Sequence, residues 1–165
     1  MKPAGTIFAV AMLAAALSSS ALAEDALLPD VIKWGASAAE VETALEGKCA
    51  NGFINRPIDP PFLPNNPVKQ VQIDCDGLEF LGAPRWTEFV IGDDRLQMVW
   101  IMVEADDKLA AIEALKDAYG APSHETPMFV AFTQNRAAWR EEPPEFLFYS
   151  KELAEPMSAW FDNPQ

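Results

Sequence analysis

The chain has 165 residues, half of them apolar, with 14 prolines, 8 glycines, two cysteines and a formal charge of −13. That length suits one domain and can bury an ordinary core, and the apolar half excludes intrinsic disorder. The acidic excess disfavours nucleic acid and anionic membrane surfaces as partners.

The first 23 residues read as an export leader. Lys2 supplies a positive start, residues 4–17 form an apolar stretch too short to span a bilayer, and Ala21-Leu22-Ala23 has the small residues a signal peptidase reads. Cleavage is expected after Ala23, leaving 24–165 as a single domain with no membrane insertion. No cysteine stands directly after the leader to carry a lipid. An alanine-rich leader with this cleavage site looks bacterial and points to the periplasm as the destination. Export decides the reading of Cys49 and Cys75, the only two cysteines. In an oxidising compartment one structural disulfide is the default, and no C-x-x-C spacing suggests a redox pair.

Along the mature chain, residues 37–46 read as a short helix. Ser37 and Glu40 have the spacing of a capping box, and Gly47 is placed to end it. Residues 55–67 hold five prolines, which predicts a stiff exposed loop, with a polyproline ligand for a partner as the second reading. From Val68 the pattern turns to period two. Val71, Ile73 and Cys75 are expected to be buried, with Gln70, Gln72 and Asp74 facing solvent. Asp76-Gly77 reads as a turn and Gly82-Ala83-Pro84 as a break.

Residues 86–91 and 96–104 flank the turn Gly92-Asp93-Asp94-Arg95 and predict a hairpin. Counting outwards from an Ile91–Leu96 pair puts Phe89, Met98, Trp100 and Met102 on a core face. The other face then carries Trp86, Glu88, Val90, Gln97, Val99, Ile101 and Val103. A solvated face should be polar, so Trp86, Val99, Ile101 and Val103 form a candidate interface, unless another part of the chain covers them.

Residues 106–119 predict the best helix, with Leu109, Ile112, Leu115 and Tyr119 as its apolar stripe and Gly120 as its stop. Strands are expected at 128–133, 136–140 and 145–149, then a short helical turn broken by Pro156. The resulting fold class is α+β: an antiparallel sheet of about five to seven strands, two main helices packed on it and one disulfide. A helix-then-sheet unit is expected to occur twice.

Trp34-Gly35-x-Ser37-x-x-Glu40-Val41 resembles the helix start of many small bacterial envelope proteins. Phe80 to Arg85, Asp93 to Leu96 and Tyr119 to Pro122 resemble their turn punctuation. Over residues 34–150 the chain is similar to uncharacterised small periplasmic proteins. More distantly it resembles the helix-plus-sheet modules of the β-lactamase-inhibitory-protein and outer-membrane-assembly-lipoprotein type, without the lipidated cysteine of the latter. The resemblance implies a binding module and supplies no catalytic residues.

Motifs for chemistry are sparse. His124 is the only histidine, and Ser123 beside it in a loop is a poor nucleophile partner. No metalloprotease, nucleophile-elbow, phosphate-loop or dinucleotide motif occurs. Asp74-x-Asp76-Gly77 is a fragment of a calcium loop without its other ligands. Met98 and Met102, sharing a strand face with aromatics, read as core rather than as copper ligands. No cofactor or metal is expected. The first hypothesis is a non-catalytic envelope module (adaptor, inhibitor or assembly factor) that binds an envelope protein through a basic surface of that partner. The alternative is a periplasmic small-ligand carrier or an enzyme using a carboxylate pocket.

Overall fold

The computed structural model describes residues 26–163, so the expected leader lies outside the described residues. The chain forms α1 (Ala38–Leu45), β1 (Phe53–Ile58), β2 (Gln70–Phe80), β3 (Ala83–Gly92) and β4 (Arg95–Met102). There follow α2 (Lys108–Tyr119), β5 (His124–Glu125), β6 (Phe129–Phe132), β7 (Ala137–Arg140), β8 (Glu145–Tyr149) and α3 (Ala154–Asp162). The α+β class, the antiparallel sheet and the disulfide agree with expectation. Among the described residues the sheet has eight strands, however, and three helices pack on it.

Strand order is β1-β2-β3-β4-β8-β7-β6-β5. Each half is a helix followed by a four-strand meander. From β4 the chain crosses through α2 to the far edge, then walks back until β8 pairs with β4, Trp100 opposite Leu147. The recurring helix-then-sheet unit is therefore present in the topology.

Local chemistry explains most elements. Ser37 Oγ accepts from the Glu40 amide while Glu40 Oε2 accepts from the Ser37 amide, the reciprocal capping box. Gly120, at φ 81°, ends α2. Asp93 and Asp94, both at positive φ, make the two-residue turn between β3 and β4. Cys49 and Cys75 form the disulfide, with Cα atoms 5.4 Å apart across a separation of 26 residues. Closing such a loop contributes about 3.5 kcal/mol in the chain-entropy model.

Several expectations need correction. Residues 53–58 form edge strand β1 despite Pro57, because an edge strand tolerates a residue that donates no ladder bond. The loop therefore begins after Ile58. Asp76-Gly77 is a bulge inside the continuous strand β2, where register slips between Cys75 and Leu78. A Cβ on Gly77 would come within 2.7 Å of the Ala50 Cβ, so the bulge needs glycine. Of the expected stripe on α2, Leu115 is buried and Ile112 and Tyr119 pack against the core, but Leu109 is 76 % exposed, and Ala111 is buried as well. Pro156 sits in the first turn of α3, where its missing N–H has no intrahelical acceptor, so the helix continues to Asp162.

The largest correction concerns the β3–β4 hairpin. Ile91 does pair with Leu96, but a bulge follows and Val90 faces Met98, with Gln97 as the extra residue. A one-residue slip exchanges faces. Val99, Ile101 and Val103 consequently join Phe89 and Ile91 in the larger core under α1 and α2. Met98, with Trp100 packed against it, lies on the opposite face with Val90, Leu147 and Tyr149, beneath α3 and the Pro-rich loop.

Candidate functional site

The second face of the sheet is covered along only part of its width. From one side the Pro-rich loop reaches over it. Gln70 Oε1 accepts from the amides of Phe62 and Leu63, both at 3.0 Å, and Asn65 donates to Gln97 Oε1 at 2.6 Å. Gly92 allows this approach, since a Cβ there would come within 2.8 Å of Leu63. The expected solvent-facing residues Gln70 and Gln72 are therefore buried, as is Asp74. From the other side α3 inserts Met157 and Phe161, and Phe161 packs edge-on to Phe129 with ring centroids 4.9 Å apart.

A trough remains between loop and helix. A hollow of about 220 Å³ is lined by Phe62, Met98, Trp100, Arg140, Met157 and Trp160. A second hollow, of about 430 Å³, shares Arg140 and Trp160 and opens towards Met128, Glu141 and Glu142. Phe62 and Met128 are exposed large hydrophobic residues at its rim.

The polar floor is arranged around Trp100. The Arg140 guanidinium lies 4.3 Å from the Trp100 ring centroid and also pairs with Glu145, its neighbour across β7 and β8. Glu145 is almost wholly buried. Burial pushes its carboxyl up to about 7; Arg140 opposes the rise and Glu88 adds to it. Beneath α3, burial likewise pushes the Tyr149 phenol up to about 12. Glu88 stands directly opposite both Asp74 and Trp100. Arg56 pairs with Asp74 at 2.7 Å, whereas among the described residues Glu88 accepts only the Trp86 indole N–H, at 3.3 Å.

Of the candidate interface residues, Val99 and Ile101 are fully buried and Val103 is 7 % exposed, so α1 and α2 leave them no surface to offer. Trp86 is 40 % exposed and faces the same side of the sheet as the trough. Trp100, Trp160, Arg140 and Phe62 carry no signal in the sequence that marks them as a shared surface. Trp100 was placed on the wrong side by the bulge, and the others converge from distant segments with no local signal.

Ser123 and His124 are in contact after all, with Oγ 2.9 Å from Nδ1, and His124 Nε2 lies 2.9 Å from Asp162 Oδ1. The hydroxyl is fully engaged, however, donating to the Ala131 carbonyl and accepting from the Thr133 amide and hydroxyl. It is a tether that fixes β5 against β6, and His124 extends the tether to the end of α3. His124 lies in strand β5 rather than in a loop. Asp74 is held by Arg56 and Gln72, and Met98 is buried in the second cluster. Among the described residues no group of three or more His, Cys, Asp or Glu gathers to ligate a metal.

No family model matches this chain, and neither the curated proteins nor the solved structures contain a match.

Proposed function

We propose that the chain is an exported, non-catalytic binding module of the cell envelope that holds a protein partner in the trough. The observation that carries this reading is the convergence of Trp100, Trp160, Phe62 and Arg140 on one open hollow. Large aromatics, Met and Arg around a desolvated centre are the composition of an interaction hot spot. A disulfide fits an oxidising destination, and among the described residues no helix is long and apolar enough to cross a membrane. The strong acidity favours a partner with a basic surface, for which the periplasm is the proposed setting.

The carrier and enzyme readings are less well supported. The central hollow, about 220 Å³, shares Arg140 and Trp160 with the neighbouring one of about 430 Å³, and both are open along the surface, the shape of an interface groove rather than of an enclosed ligand pocket. Glu145, the carboxyl with the raised pKa, is buried under its pairing with Arg140 and does not reach a substrate.

The test is capture of a partner from an envelope extract of the source organism, using the exported chain with its disulfide formed. The Trp160→Ala variant is expected to lose a retained protein by about tenfold or more. Leu109→Ala, an equally conservative change on the outer side of α2, is expected to keep it. Retention that survives Trp160→Ala in a protein with unchanged circular dichroism would overturn the assignment.

A further inference from the structure

We infer that the partner inserts a large apolar side chain into the trough and flanks it on both sides with lysine or arginine. This rests on the trough being the binding site and adds the chemistry of its occupant.

The central hollow is apolar except for Arg140, and Arg140 is already engaged. Its guanidinium stacks on Trp100 and pairs with Glu145, and its Nε is buried with no hydrogen-bond partner among the described residues, so the group is held within the chain and that unpaired nitrogen is out of a partner's reach. The hollow therefore selects an apolar side chain, between the rings of Trp100 and Trp160 and the thioethers of Met98 and Met157.

Charge is unbalanced on either side of it. Towards β3, Asp74 and Glu88 stand directly opposite each other, an arrangement of like charges that destabilises a sheet. Arg56 hydrogen-bonds Asp74, and among the described residues the Trp86 indole is the only hydrogen-bond donor to Glu88. Towards β7, Glu142 is exposed and lines the second hollow beside Trp160. Neither Glu88 nor Glu142 forms an ion pair among the described residues, whereas Glu141 next to it is held by Lys108. Arg56 already acts on both carboxylates but hydrogen-bonds only Asp74 among the described residues, so a cation arriving at Glu88 would add the contact that Arg56 does not make and lie against the exposed face of Trp86. A second cation would meet Glu142. The chain's net charge of −13 would draw such a segment in from a distance.

The probe is a set of capped pentapeptides titrated against the intact chain and followed by tryptophan fluorescence. Lys-Ser-Phe-Ser-Lys is expected to bind at millimolar concentration. Its counterparts Glu-Ser-Phe-Ser-Glu and Lys-Ser-Ser-Ser-Lys are expected not to bind. Glu88→Gln and Glu142→Gln should each weaken the first peptide about threefold, the size of a partly screened ion pair. Glu113→Gln, the same charge change on the outer side of α2, should leave it unchanged. The inference is overturned if the lysine peptide fails to bind, if the glutamate peptide binds equally well, or if all three glutamine variants behave alike. If Trp160→Ala weakens the lysine peptide while Glu88→Gln and Glu142→Gln do not, the trough stands and the charge reading falls. If none of the three has an effect, both fall.

Discussion

Val99 and Trp86 lie on opposite faces of one hairpin, the first fully buried and the second 40 % exposed. A carboxylate at position 99 would be an unpaired charge in the larger core, an effect comparable to the 5–15 kcal/mol stability of an ordinary domain. Val99→Glu is therefore expected to abolish the cooperative thermal transition, and Trp86→Glu to move its midpoint by only a few degrees. A Val99→Glu variant that melts like the parent would show that the two faces have been exchanged. Glu145 supplies a second residue-scale prediction. Its folded pKa, about 7, exceeds the ordinary 4.5, so between those values the folded state retains a proton that the unfolded state releases. Stability consequently falls as pH rises from about 4.5 to about 7, and the loss is complete above that. Glu145→Gln should flatten this part of the curve of melting midpoint against pH; a slope unchanged from the parent would mean that the carboxyl is not desolvated. Residue-level signals were legible where the chemistry is local. The Ser37–Glu40 capping box needs four residues and was read correctly. The bulge at Gln97 was not legible, since a polar residue in a strand reads as solvent-facing until the loop that covers it is known.

At the scale of elements, α3 does the most that the sequence did not announce. It buries Leu153's neighbours Met157 and Phe161 against the second face, with Phe161 in ring contact with Phe129, Tyr149 and Trp160. Phe161→Ala is expected to destabilise the protein by about 3–5 kcal/mol, measured by denaturant unfolding. A loss under about 1 kcal/mol would mean that α3 is only loosely attached. In the sequence Pro156 suggests a break, whereas its effect depends on where the helix starts. Pro57 is a related case: proline excludes a central strand but not an edge. Gly77 marks a place where the backbone bends, and nothing nearby separates a bulge from a turn. Polar cover was equally hidden, because Gln70 and Gln97 look solvated until the Pro-rich loop folds onto them.

For the whole molecule, helix and strand alternation was readable from periodicity, as was the repeated helix-then-sheet order. The pairing of β4 with β8 was not, because it joins segments more than forty residues apart through side chains that would suit many neighbours. The trough inherits that obscurity. Trp100 comes from β4, Arg140 from β7, Phe62 from the Pro-rich loop and Trp160 from α3, and only the closed sheet brings them together. The central claim is that this face, and not the outer side of α2, meets a partner. The most direct measurement is photo-cross-linking in an envelope extract with benzoylphenylalanine placed at Phe62 or at Leu109, both exposed apolar positions. Binding in the trough predicts one discrete adduct from position 62 and none from position 109. Adducts of equal yield from both positions, or from position 109 alone, would contradict it.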